Sequence, residues 1–195
     1  MRRVVLGSTS PYRKALMEKL GIAFEVAKPT LDEERAKEVL LKKNCSPLEV
    51  ATTLARLKAE SLKDENLVII GGDQLINLEG RILGKPKTVA KAIEQLTEMK
   101  NKTHEIITAV CITTMEKNIE FYDIAKLRMK DLTAKEIEDY VQLDQPLDCA
   151  GSYKIEENGK KLFANIAAQD LTAIEGLPLL SLSHFLQTLG YDIKK

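Results

Sequence analysis

Ser8, Ser10 and Arg13 sit together in the stretch VVLGSTSPYRKALMEKLG, residues 4–21. An apolar run enters Gly-Ser-Thr-Ser-Pro and turns into a helical pattern. A strand ending there presents free backbone N–H groups at the positive end of a helix, which is a site for an anion. The two hydroxyls add donors, and Arg13, one turn in, can bind a phosphate through two parallel hydrogen bonds. The plainer reading is a capped helix with Arg13 in solvent. The stretch lacks GxxxxGK[ST] and is no P-loop.

Further along, Lys58 falls four residues after Leu54 and four before Leu62, on the apolar face of its helix. It either snorkels to water or points into a cleft. Asp73 follows VIIGG in a run that reads as a buried strand, where a carboxylate needs a partner, a metal or a catalytic role. The two glycines before it would let a ligand approach the backbone; a turn aspartate at a strand end is the alternative. Lys85 lies in a Gly-Lys-Pro loop. The acidic cluster LDEE at 31–34, with Glu33 inside it, reads as a solvated loop or as oxygen ligands for a divalent cation. Lys154 and Glu156, two apart, would share a strand face as a surface ion pair. Cys149, His104 and His184 have no activating neighbours in sequence and read as buried structural groups.

The elements that must position these residues follow from pattern. Residues 3–7 read as a buried strand. Ser10 caps a helix with Pro11 at its first position, closed by Gly21. FEVAKP gives a second strand, running into the loop TLDEE. Ser46-Pro47-Leu48-Glu49 is a capping box opening a helix to about Lys63. NLVIIGGDQLINL is apolar throughout, as in a strand buried on both faces. Glu79-Gly80 turns into RIL, and Thr88 caps a helix carrying Val89, Ala92, Ile93, Leu96 and Met99. HEIITAVCITTM and IEFYDIAKLRM pair across the turn EKN. Thr133 to Glu136 is a second capping box, GSYKIEENGKKLF reads as a hairpin, and a last helix spans about 178–189. The expected fold is α/β: a long twisted mixed sheet with flanking helices and two lobes around a cleft, in a single domain over 1–195.

Composition excludes several classes. With 29 basic and 29 acidic residues, no global charge favours nucleic acid or an anionic membrane. Any anion site must be a local concentration of basic groups. No apolar run reaches membrane-spanning length, and the N-terminus lacks the apolar stretch of a signal peptide. Three widely spaced cysteines form no disulfide framework and no CxxC pair, and two histidines alone cannot make a zinc site. The expectation is a cytoplasmic protein without a nucleic-acid or membrane partner.

The ordered set LGSTSPYRKALMEKLGIAFEV, LDEE, LARLKAESL, IIGGDQLINLEGRILGKP, HEIITAVCI, CAGSYKIEENG and GLPLLSL resembles the Maf family of nucleotide pyrophosphatases over nearly the whole chain. That resemblance implies a fold akin to the inosine-triphosphate pyrophosphatases. It also implies hydrolysis between the α and β phosphates of a nucleoside triphosphate. Asp73-Gln74 and Ser152-Tyr153-Lys154-Ile155-Glu156 resemble the 7-methyl-GTP subgroup rather than the dTTP/UTP subgroup, which shows Asp-Thr. Two positions depart from the pattern: Tyr12 stands where a close bacterial relative would carry Trp, and Thr172-Ala173 where Asn-Thr is expected.

By this resemblance Asp73, Lys58 and Glu33 are catalytic, and Ser8, Ser10, Arg13, Lys85 and Lys154 bind substrate. Tyr12, Gln74 and Glu156 set base specificity, since a positively charged 7-methylguanine favours an aromatic face and a carboxylate. Glu33 and Asp73 would hold a divalent metal cation such as Mg, Mn or Co. A homodimer is implied at family level only. Two competing expectations are a Maf pyrophosphatase for other canonical or modified nucleotides and a nucleotide-binding regulator of septum formation.

Overall fold

The structure is a computed structural model that describes residues 2–193. Its seven strands are β1 (Arg3–Gly7), β2 (Phe24–Ala27), β3 (Leu67–Leu78), β4 (Arg81–Leu83), β5 (Thr103–Thr113), β6 (Asn118–Met129) and β7 (Phe163–Ala167). Its helices are α1 (Pro11–Glu18), α2 (Glu33–Lys42), α3 (Pro47–Glu60), α4 (Val89–Met99), α5 (Ala134–Asp144), α6 (Leu171–Glu175) and α7 (Leu179–Thr188). The strands neighbour one another in the order β2-β1-β3-β5-β6-β7, with β4 beside β3. β1 runs parallel to both β2 and β3, whereas β4 and β7 run antiparallel to their partners. The mixed α/β sheet expected from the sequence is present. Among the described residues no helix is long and apolar enough to cross a membrane.

The chain divides into two compact units. The first takes the chain up to Gln74, then Thr108–Asp123, then everything from Asp170 onward; the second takes Leu75–Ile107 and Ile124–Gln169. In the first unit, Leu16, Met17 and Leu20 after β1 bury against Val4, Leu6, Val68 and Ile70, with Leu182 and Leu186 of α7 in the same cluster. Burial of each such side chain contributes about 1.5–3 kcal/mol. In the second unit the buried side chains include Leu96 and Met99 of α4, Val141 of α5 and Leu127 of β6.

Local chemistry explains the element ends. Ser10 accepts from the Arg13 N–H with Pro11 at the first position of α1, and both capping boxes form: Ser46 with Glu49 and Thr133 with Glu136. Two expectations fail. LDEE is a loop only as far as Asp32, which accepts from the Arg35 N–H at 3.1 Å and caps α2, so that Glu33 and Glu34 open the helix. Ala36, Val39 and Leu40 follow helical spacing along α2, with Ala36 and Leu40 half-buried and none fully buried. GSYKIEENGKKLF is no hairpin either: it forms two 3-10 turns, Ala150–Ser152 and Gly159–Leu162, before β7. Asn158 has φ −87°, whereas the tight hairpin turn that Asn-Gly favours needs positive φ there. Gly159 donates its N–H to the Lys154 carbonyl at 2.9 Å, and a Cβ on it would lie 2.3 Å from that oxygen.

Candidate active site

The first unit assembles most of the expected residues. Lys58 is buried rather than snorkelled, at 7% exposure. Its Nζ donates to Asp73 Oδ1 at 2.7 Å and pairs with Glu33 Oε2 at 2.9 Å. Gly71 makes this geometry available. A Cβ on Gly71 would stand 2.3 Å from the Ala55 carbonyl and 2.7 Å from the Ala59 nitrogen. α3 therefore lies directly on β3, with Lys58 beside Asp73. At Gly72 a Cβ would meet Arg13 Nε at 3.4 Å and Leu177 at 3.6 Å. Gly71 thus serves close packing of α3 on β3, whereas a Cβ at Gly72 would make only ordinary contacts.

Arg13 is half-buried, not solvated. Its Nε donates to the Gly176 carbonyl at 3.1 Å and its Nη1 to Ser8 Oγ at 3.4 Å. Burial pulls the guanidinium pKa down, while Asp73 and Glu33 hold it up. Ser8 is buried, and its hydroxyl also accepts from the Ser10 N–H at 3.2 Å. The Ser10 oxygen accepts from the Arg13 N–H as the cap of α1, which leaves its hydroxyl proton to donate.

Asp73 is 4% exposed, and its Oδ2 has no hydrogen-bond partner. Burial raises its carboxyl pKa above the usual range, against the pull of Lys58 and Arg13. A buried, partly unsatisfied carboxylate between two cations is costly for folding and suited to taking up a proton or a cation. Among the described residues no three His, Cys, Asp or Glu side chains cluster as a metal site. Glu33 and Asp73 are hard oxygen donors meeting at Lys58, and Asp73 Oδ2 is open. The pair fits a cation such as Mg²⁺ that keeps waters and takes its other ligands from substrate phosphates.

Gln74 follows on β3. Its Nε2 lies 2.9 Å from Thr108 Oγ1, 3.0 Å from the Ala173 carbonyl and 3.1 Å from the Ile174 carbonyl. Two carbonyls around one amide atom fix that atom as nitrogen, which leaves Oε1 as the free hydrogen-bonding end. Tyr12 is 40% exposed on α1.

Lys85, Lys154 and Glu156 belong to the second unit. All three act on the Cys149 thiol: burial raises its pKa most, Glu156 adds to that, and Lys154 and Lys85 oppose it. Glu156 and Lys154 do not pair on a strand face, since no strand forms there; Lys154 Nζ pairs instead with Glu157 at 3.2 Å. The Lys154 N–H donates to the Tyr140 hydroxyl at 2.9 Å. Cys149 is half-buried and His184 exposed, contrary to expectation, whereas His104 is buried beside Tyr153 as expected.

Sequence reasoning missed Thr108, Asp170 and Gly176. The partners of Thr108 and Gly176 lie far away in the chain, those of Asp170 two and ten residues on, and the local signal is the capping pattern Asp170-Leu-Thr172.

The model of the Maf-like protein family matches residues 3–189. A Bdellovibrio bacteriovorus protein named 7-methyl-GTP pyrophosphatase is 48% identical over 186 residues, covering 95% of this chain and 96% of its own. Proteins of the same name from Xanthomonas oryzae and Syntrophotalea carbinolica are 37% identical over 195 residues and 36% over 200. Each covers 99% of this chain, and 100% and 98% of its own length respectively. With a family match across nearly every described element and these full-length relatives, the chain belongs to the family of Maf-like proteins.

Proposed function

We propose that this protein is a nucleoside-triphosphate pyrophosphatase that hydrolyses the bond between the α and β phosphates, with 7-methyl-GTP as its substrate. The observation that carries the reading is the Glu33–Lys58–Asp73 cluster, in which Lys58 and Asp73 are buried and Glu33 is exposed, with Arg13 beside it. Its two cations can each face phosphate oxygens, and Asp73 Oδ2 has no partner within the protein. The names of the full-length relatives supply the base.

Arg13, Ser8 and Lys58 neutralise and orient the phosphates, and most strongly the charge that grows on the leaving pyrophosphate. Asp73 Oδ2 accepts a proton from the attacking water, a role favoured by a carboxyl pKa raised through burial. Water oxygen bonds to the α phosphorus, the bridging P–O bond breaks, and the electron pair leaves on pyrophosphate. Glu33 and Asp73 would hold a divalent cation, which when bound supplies further neutralisation of phosphate oxygens. Ser10, Lys85 and Lys154 are assigned to substrate binding, and Tyr12, Gln74 and Glu156 to base selection, by family resemblance.

Product analysis tests the reading. Protein incubated with 7-methyl-GTP and Mg²⁺ should release 7-methyl-GMP and pyrophosphate in equal amounts, and more efficiently than GTP releases GMP. Release of orthophosphate and a diphosphate would contradict the bond assignment; equal efficiency on GTP would contradict the base assignment alone.

A further inference from the structure

We propose that Asp170 is a positioning residue for Arg13 and Gln74, acting through the segment 171–180; this rests on the reading above, in which those two side chains meet the nucleotide. Asp170 is 5% exposed. Its Oδ1 accepts from the Thr172 N–H at 2.9 Å and from the Thr172 hydroxyl at 2.6 Å, and its Oδ2 accepts from the Leu180 N–H at 2.8 Å. The Thr172 hydroxyl oxygen in turn accepts from the Leu179 N–H at 2.9 Å. One carboxylate and one hydroxyl therefore tie the start of α6 to the start of α7 and close the segment into a loop. Capping α6 alone needs one side-chain acceptor. The second carboxylate oxygen and the hydroxyl reach across to α7.

The closed loop aims carbonyl oxygens at the site. Those of Ala173 and Ile174 hold the Gln74 amide nitrogen, and Thr108 donates to the Ala173 carbonyl at 2.8 Å. The Gly176 carbonyl holds Arg13 Nε. Gly176 has φ +125°, and a Cβ on it would stand 3.3 Å from Arg13 Cγ, so this turn needs glycine both for its backbone and for the arginine it carries. With Nε held by Gly176 and Nη1 by Ser8, the guanidinium has one orientation, and fixing it before the ligand arrives removes an ordering cost from binding. Opening the Asp170–Thr172 clasp frees the carbonyls and lets both side chains turn.

Thr172 is one of the two residues at the second departure from the family pattern. The clasp gives its side chain a use, since the hydroxyl both donates to Asp170 and accepts from Leu179.

The first readout needs no substrate. Exchange of the Arg13 Nε–H, followed by ¹⁵N NMR, should be slow in the wild type and in Thr172→Ser, which keeps the hydroxyl. It should be fast in Thr172→Val and in Asp170→Asn, whose amide nitrogen must face an N–H or O–H donor. The second readout is steady-state kinetics on 7-methyl-GTP. Asp170→Asn should lower kcat/KM by about 10- to 100-fold, as for a lost hydrogen bond to a charged group, with Thr172→Ser close to wild type. In an Arg13→Ala background Asp170→Asn should cost far less, because the two act as one unit. Slow Nε–H exchange in both Thr172→Val and Asp170→Asn would overturn the proposal, as would full additivity of Asp170→Asn with Arg13→Ala. A wild type that released no pyrophosphate would remove the functional reading instead, and the exchange rates would still decide whether Asp170 orders Arg13.

Discussion

Each unit of the molecule buries a polar cluster, and the two clusters are built on opposite terms. In the second unit the groups are neutral or locally paired. His104 shares a hydrogen bond with the Tyr153 hydroxyl at 2.9 Å, and Ser152 Oγ donates to Gln95 Oε1. Asp144 accepts from both the N–H and the amide of Asn158, and the Tyr140 hydroxyl accepts from Lys154. Burial keeps His104 uncharged, with its pKa lowered to about 4, and raises the pKa of both tyrosines. In the first unit the groups are charged and incompletely satisfied: two carboxylates share Lys58, Arg13 stands beside them, and Asp73 Oδ2 is open. A mostly satisfied network of this kind fixes a fold. A buried charge left open lowers stability, and its presence points to a ligand. Both clusters leave one buried atom without a partner, His104 Nδ1 in the second and Asp73 Oδ2 in the first; what distinguishes the first is that two carboxylates and two cations meet in it.

Removal of metal should separate the clusters most sharply. Excess chelator should abolish hydrolysis while leaving the unfolding midpoint of the nucleotide-free protein unchanged, because nothing in the second cluster depends on a cation. Hydrolysis that persisted in chelator would break the assignment of Glu33 and Asp73 as cation ligands.

Next in size is Lys58→Ala, expected to lower kcat/KM by about 10²–10³, the scale of losing one charge-stabilising donor in an active site. Its pH signature is specific. Burial raises the Asp73 pKa and Lys58 opposes it. Without Lys58 the pKa rises further, Asp73 must lose its proton to act as base, and the acid limb of the kcat profile moves to higher pH. An unmoved limb would show that another group titrates.

His104 supplies the corresponding test of the neutral cluster. Its pKa is lowered from 6.5 to about 4 by burial. The folded state then resists protonation while the unfolded chain accepts it, so the stabilisation is complete above pH 6.5 and is lost as pH falls toward 4. The full loss is about 3 kcal/mol, with about 2 kcal/mol gone by pH 5. Urea unfolding at pH 7.5 and pH 5 should show a smaller drop for His104→Phe than for the wild type; equal drops would mean that His104 does not titrate on unfolding.

Glu156→Gln should have the smallest effect. Glu156 is exposed, and an exposed charge contact is screened, so the preference for 7-methyl-GTP over GTP should shrink only about two- to fivefold. A preference that did not move would remove Glu156 from base selection.

The framework of the sheet was legible because its signals are local: the apolar run of β3, Ser10 before Pro11, and the capping boxes at Ser46 and Thr133. Helix α2 was missed although Ala36, Val39 and Leu40 follow helical spacing, because the acidic run at its start reads equally well as a solvated loop. Lys58 and Asp73 stood out for the same reason that they matter, as charges in otherwise apolar runs. That they pair with each other, and that Glu33 completes the cluster, depends on α3 lying against Gly71, a contact that no spacing encodes. The Asp170–Thr172 clasp and its grip on Arg13 join residues about 160 positions apart, and such contacts appear only once the chain is folded.

The central claim is that the open Asp73 carboxylate performs the chemistry. Asp73→Asn keeps the shape of the side chain and removes its charge and basicity. Measured side by side with wild type on 7-methyl-GTP and Mg²⁺, kcat for pyrophosphate release should fall by about 10²–10⁴, with the variant still folded and unfolding cooperatively. A purified Asp73→Asn protein that kept most of its kcat would contradict the account.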